Sequence, residues 1–139
     1  MHTIRKVSSS EALRMVEAAV HEANIIQKPL VVAVAGPEGE LIAFLRMDGA
    51  NAASGVIGQN KAYTSARDNK TTREMGQYMR EKNSPPAFWG DERITGFGGG
   101  VPIVQQGKVI GGIGISGLSQ EEDERIARAA IAAVYGDSV

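Results

Sequence analysis

Between Ile94 and Leu118 the chain reads ITGFGGGVPIVQQGKVIGGIGISGL, and nine of its 17 glycines fall in that stretch. Val101 to Val104 and Val109 to Ile115 are short β-branched runs, and Gln105-Gln106-Gly107-Lys108 between them has the polar and glycine residues of a hairpin turn. The expectation is an antiparallel pair. Gly111, Gly112 and Gly114 interrupt the second run, where absent side chains weaken a strand but let another backbone, a helix or a ligand come very close. The expected neighbour is the last helix, whose Ile126, Ala129, Ala130 and Ala133 form a small-residue face. Gly98 to Gly100 have two readings, a turn before the sheet or an anion nest. No helix start and no Gly-Lys-Ser/Thr follows them, which argues against a P-loop.

The same residues carry a resemblance. Gly-Gly-Val-Pro-Ile at Gly99 to Ile103, the run Gly107 to Gly117 and an acidic helix start containing Asp123 are similar to the GlcG/HbpS-like haem-binding family, which includes the C-terminal domain of PduO-type cobalamin adenosyltransferases. Gly39-Glu-Leu-Ile-Ala-Phe-Leu-Arg-Met-Asp-Gly-Ala50 and Lys61-Ala-Tyr-Thr64 agree with it, so the resemblance runs through nearly the whole chain. It implies a layered α/β/α fold, a homo-oligomer, and haem binding or haem degradation. One position departs from the pattern: Gly36 stands where the family usually has aspartate, so any role of that aspartate is absent.

The remaining elements follow from periodicity and caps. Ser8 with Glu11 makes a capping box for a helix to about Ile26, with Leu13, Val16, Val20 and Ala23 as its core stripe. Leu30 to Ala35 is a continuous apolar run, expected as a strand covered on both faces or in the middle of the sheet, and Gly36-Pro-Glu-Gly39 turns it into a return strand, Leu41 to Met47. Asp48 is placed to cap a helix from about Ala52 to Arg67. A loop at Asp68 to Thr71, a helix to about Glu81 and a proline-rich loop with the single tryptophan, Trp89, come next. Ser119 with Glu122 caps the last helix, which ends at Gly136. The expectation is one α+β domain spanning residues 1–139, of three-layer α/β/α type. Helices flank a central antiparallel sheet in the order α-β-β-α-α-β-β-α, with room for one more short strand near Arg93 to Phe97.

Composition narrows the function. The formal charge is -1 with no basic surplus, so nucleic acid is a poor partner. The absence of cysteine excludes a disulfide framework, a thiolate nucleophile, an iron–sulfur cluster and covalent c-type haem. No apolar run has the roughly 20 residues of a membrane span, and the N-terminus has no signal-peptide core, so a cytoplasmic location is expected. With two histidines a zinc site is improbable.

Candidate site residues come from breaks in pattern. On the Ala52–Arg67 helix, Ala53, Val56 and Ile57 share a face that becomes Asn60 and Thr64 one turn later, with Lys61 at its edge. A stripe that turns polar either emerges into solvent or borders a ligand cavity. Lys61 then pairs with Asp48, Asp123 or a ligand carboxylate. Between Lys61 and Lys82 six Lys/Arg face three Asp/Glu, a solvated helix face or a guide for an anion. His21 lies off the core stripe, beside Glu17, Ala18 and Ile25. It reads either as a solvent-facing histidine paired with Glu17, or as a residue that lines a subunit interface or ligates haem iron. Phe88, Trp89 and Phe97 suit either a planar ligand or a neighbouring subunit.

Two functions fit. One is a haem or tetrapyrrole binder, with His21 or Thr64 at the iron and Arg46, Asn60, Phe97, Gly98 and Gly99 among the ligand contacts. The other is a cofactor-independent lyase or isomerase acting on a small carboxylated metabolite, with Lys61 and Arg46 holding the anion and Asp48 or Asp123 as acid/base. A blander third reading is an assembly protein without ligand.

Overall fold

The computed structural model describes residues 1–136. Its elements are α1 (Ser9–Ile26), β1 (Val31–Ala35), β2 (Leu41–Arg46), α2 (Ala52–Asp68), α3 (Thr72–Lys82), a 3-10 turn (Pro86–Trp89), β3 (Gly100–Gln105), β4 (Lys108–Ser116) and α4 (Gln120–Tyr135). This is the expected order. The additional strand near Arg93 to Phe97 does not form, because that segment turns its backbone toward α2: Thr95 N–H donates to Thr64 Oγ1, and Thr64 Oγ1 donates to the Arg93 carbonyl. The four strands pair antiparallel in the order β2-β1-β4-β3. β1 is central and buried along its whole length.

Local chemistry sets the element ends. Ser8/Glu11, Thr71/Glu74 and Ser119/Glu122 are complete capping boxes, each satisfying two orphan N–H groups at a helix start. The middle one has the same spacing as the others, Thr-x-x-Glu, so it too was open to sequence reading. Asp48 does not cap α2. The N-cap is Asn51, without a side-chain cap bond, because Arg46 to Ala50 continue the chain in a turn in which Ala50 N–H donates to Met47 O. The β3–β4 turn is Gln106-Gly107, both with positive φ (52° and 75°), the geometry that matches strand twist.

Alternation along the strands separates two faces. Val32, Val34, Ile113 and Ile115 pack with Met15, Ala19, Ile126 and Ala130 of α1 and α4. Ala33 and Ala35 turn the other way, onto Ala62 of α2. The result is the three-layer arrangement, with α1 and α4 on one side and α2 with α3 on the other.

Three packing details differ from expectation, for one reason: the contacts are closer than large side chains allow. In α1 the buried face is Ala12, Met15, Val16, Ala19 and Ala23, while Leu13 is 55% exposed. Alanines, which contribute little to an apolar pattern, let α1 lie against both α4 and the sheet. In α4 the buried face is Asp123, Ile126, Ala127 and Ala130, and Ala133 is exposed. The helix against Gly112 and Gly114 is α2, not α4: an ideal Cβ on Gly112 would lie 2.6 Å from Ala62 O and 2.6 Å from Ser65 Oγ. Gly58 of α2 returns the close approach, since a Cβ there would lie 2.8 Å from Val31 Cγ1.

Gly112→Val is therefore expected to lose at least about 3 kcal/mol of stability in urea unfolding, at the upper end of overpacking costs because backbone atoms are the obstruction. Gly55→Ala is the opposite case, since its Cβ would sit 3.6 Å from the Phe44 ring. It should gain about 0.5–1 kcal/mol from the helix preference of alanine.

Candidate functional site

Lys61 is the centre of the polar interior. It stands on the face of α2 that meets the sheet, between Gly58 and Ala62, and the glycines of β3 and β4 give its stem a channel. Its Nζ donates to the Ile115 carbonyl at 2.8 Å and to Asp123 Oδ2 at 3.1 Å. Asp123 Oδ1 accepts the Leu118 N–H at 3.2 Å. The two side chains are 3% and 2% exposed. Burial disfavours charge on both, pulling the lysine down from its usual range and pushing the carboxyl up, and the attraction between them opposes both movements. The expectation of a lysine at the edge of α2 is corrected: Lys61 is in the interior, and its partner is Asp123 rather than Asp48.

Gly99 completes the node. Its φ is 125°, and a Cβ would lie 2.8 Å from both Lys61 Nζ and Asp123 Cβ, so only glycine lets the strand pass beside the ion pair. The neighbouring N–H groups are spoken for, Gly98 donating to Gln120 Oε1 at 2.7 Å and Gly100 to Thr72 Oγ1 at 2.8 Å. What sequence allowed as an anion nest is filled by the protein's own oxygens.

The other candidates do not gather round this node. Thr64 is fully buried, and its hydroxyl holds the Arg93–Thr95 segment. Asn60 is half-buried, and Phe97 is 57% exposed. Arg46 is exposed at the end of β2, its Nε donating to Ala50 O at 3.0 Å, and Asp48 is exposed beyond it. His21 is exposed on α1, in the layer on the far side of the sheet from α2. The stripe of α2 that looked like its core, Ala53 and Val56, points outward, with Val56 61% exposed.

Sequence reading missed a second polar cluster. Tyr63, 5% exposed, has Arg67 and Arg93 over its ring at 4.8 and 4.0 Å. Its hydroxyl donates to Asp91 Oδ2 in a short hydrogen bond and accepts from Arg93 Nη2 at 2.7 Å. The Tyr63 hydroxyl and then the Arg93 N–H hold the Asp91 carboxyl down to about 2. This clamp fixes the 83–97 loop to α2. Two surface clefts were also unforeseen: one of about 620 Å³ between the N-terminal segment and the β3–β4 hairpin, lined by His2, Ile4, Arg5, Lys108 and Ile110, and one of about 490 Å³ beside Gly98, between Arg73, Gln120 and Arg128. No group of three or more metal-ligating side chains occurs among the described residues, and no helix there is long and apolar enough to cross a membrane.

A central antiparallel sheet between two helical layers, sealed by a lysine–aspartate pair against a glycine-rich strand, defines an α/β/α domain of a particular kind. The model of the family described as haem-degrading protein HbpS-like matches residues 7–132, and the chain belongs to that family. It is 33% identical over 130 residues to an uncharacterized 15.0 kDa protein of the dhaT-dhaS intergenic region of Citrobacter freundii, covering 92% of each. Among solved structures it is similar to the PduOC:heme complex, at 30% identity and TM-score 0.86 over 94% of this chain and 96% of that one. It is likewise similar to HbpS, at 29% identity and TM-score 0.88 over 98% and 94%.

Lys61→Met should cost about 3–5 kcal/mol, because it leaves Asp123 buried without a partner. The variant's carboxyl then titrates still higher than in the wild type, so the folded state binds more protons than the unfolded chain above the ordinary aspartate range. Its deficit should shrink between pH 7 and pH 5, and Lys61→Met/Asp123→Leu should recover most of the loss in urea titrations. For the clamp the sign is reversed. Asp91 has a depressed folded value, so its contribution is complete above the ordinary 3.8 and disappears as pH falls toward 2. Fluorescence of the single tryptophan, Trp89, should report loop release over that window in the wild type, and the step should be missing in Asp91→Asn.

Proposed function

We propose that this protein binds haem or a closely related tetrapyrrole as a homo-oligomer. The observation that carries the reading is the likeness, over 94% of the chain, to a domain solved as a heme complex. Membership of a family described as haem-degrading supports it.

The donor set of this chain is compatible with such a ligand. Haem iron takes histidine among its protein ligands, and the chain has His2 and His21 with no cysteine. His21 lies within the matched residues 7–132, exposed on α1 and one turn before Ile25, which is 63% exposed. In this reading His21 supplies the imidazole, Ala18 and Ile25 supply apolar surface, and a second copy supplies the other side of the site. Haem, when bound, brings iron redox chemistry; the chain's part is to hold, orient and shield it. Haem breakdown is an extension of the same reading, measured as decay of the Soret band under a reductant and air.

The lyase or isomerase alternative needs a carboxylate and a lysine open to a substrate. Lys61 and Asp123 are sealed, and Asp48 is exposed beyond the end of β2, so that reading has less geometric support.

Titration of the purified protein with haemin should give a saturable Soret shift. His21→Ala should move the band and weaken binding at least about tenfold, the effect of roughly 1.4 kcal/mol, whereas His2→Ala should leave both unchanged. An absent shift in the wild type would remove the proposal. The reverse response of the two variants would move the site to the cleft containing His2, Arg5 and Lys108.

A further inference from the structure

The sheet has one closed edge and one open edge. On the β3 side, Ile115 N–H donates to Gly99 O at 3.0 Å, and with Gly100 opposite Gly114 this turns the backbone of Val101 and Ile103 toward β4. Gly100 and Pro102 face outward. The Gly100 N–H is taken by Thr72, and proline has no N–H, so neither residue has an N–H to give an added strand. On the β2 side, Met47 N–H donates to Leu30 O at 3.0 Å. With Val32 opposite Leu45 and Val34 opposite Ala43, the backbones of Leu45 and Ala43 face β1, and those of Phe44 and Arg46 face out. No backbone partner for Phe44 or Arg46 on that side occurs among the described residues.

The open edge is also apolar. Leu41, Phe44 and Leu45 are 51%, 37% and 39% exposed, and β2 holds neither proline nor lysine. Chains that remain single blunt such edges. The one irregularity of β2 is a bulge at Ile42, where the register passes from Val34 opposite Ala43 to Ala35 opposite Leu41. The bulge ends regular pairing and leaves Phe44 and Arg46 as the usable outward groups.

We propose that β2 is the seam on which a second copy of this chain docks, strand against antiparallel strand about a twofold axis at Leu45, joining two four-stranded sheets into one. The occupant follows from self-complementarity. A twofold copy presents Phe44 and Arg46 in reversed order, so Phe44 of each copy meets Arg46 of the other, their outward N–H and C=O groups exchange bonds, and a guanidinium comes beside each ring. Leu45 meets Leu45 at the axis. This rests on the self-association reading above and assigns it a surface, a register and an axis.

The absence of native cysteine makes the register directly testable. At the axis, residue 45 faces itself in a non-hydrogen-bonded position, where Cα atoms are about 4.5 Å apart, within disulfide range. Under mild oxidation Leu45→Cys should become a covalent dimer on a non-reducing gel, while Gln106→Cys, exposed at the β3–β4 turn, should not. Light scattering should give the wild type at least twice 14.7 kDa at micromolar concentration, and Leu45→Lys, which sets lysine against lysine, should halve that mass. A monomeric wild type overturns the self-association reading and this interface with it. An oligomeric wild type whose Leu45→Cys does not crosslink leaves self-association standing and overturns the β2 seam. Should Leu45→Lys fail to fold, the crosslink alone decides.

Discussion

The Lys61–Asp123 pair holds the three layers in register. Lysine comes from α2 on one side of the sheet and aspartate from the first turn of α4 on the other, and they meet at the end of β4, where the Ile115 carbonyl takes a further lysine proton. Buried ion pairs are weak sources of net stability, because desolvation cancels much of the attraction. What this pair contributes is position. A sheet can slide under a helix on apolar contacts alone with little penalty, but not when sliding strands a buried charge. The acidic first turn of α4 assists, since Asp123 lies near the positive end of its helix dipole.

That node determines where glycine must stand. The lysine stem and the α2 backbone lie directly on β4, so Gly112 and Gly114 carry no side chain toward α2, Gly58 carries none toward Val31, and Gly99 leaves the volume in which Lys61 and Asp123 meet. These glycines cost strand and helix propensity, and in return the layers approach until main-chain atoms touch. The same closeness inverts α2. Its small and polar residues, Ser54, Gly58, Ala62 and Ser65, face the sheet, while Val56 faces solvent.

This inversion marks the limit of what the sequence makes legible. Strands, helix spans, two capping boxes, the hairpin and the layered class follow from local chemistry, and the structure has them. The glycine-rich strand announces close packing. Which helix makes the contact depends on three-dimensional connection, which periodicity does not encode, and the hydrophobic-inside rule misreads α2 because its interior face needs smallness more than hydrophobicity. Lys61 shows the same difficulty: flanked by polar residues it looks like an edge lysine, and only its distant partner Asp123 makes burial tolerable. Tyr63, Asp91, Arg67 and Arg93 are separated by up to 30 residues, and none has a signal apart from the cluster they form.

The packing also constrains where chemistry can occur. Close helix–sheet contact leaves Lys61 and Asp123 sealed, and the Thr64 hydroxyl and the Gly98 and Gly100 N–H groups are already bonded within the protein. A flat macrocycle cannot enter between such layers without separating them, so any ligand of that size must lie on the outside of the domain. The outside of a small domain is a poor site, because one surface covers only one face of a planar ligand and leaves the other in water. Enclosure then requires a second surface, and the cheapest source is another copy of the same chain. An interior filled by glycine contacts and an exterior with apolar side chains at Ile25, Phe44, Leu45 and Val56 are thus two results of one packing solution: closing the core leaves a large ligand or a second copy only the surface on which to dock.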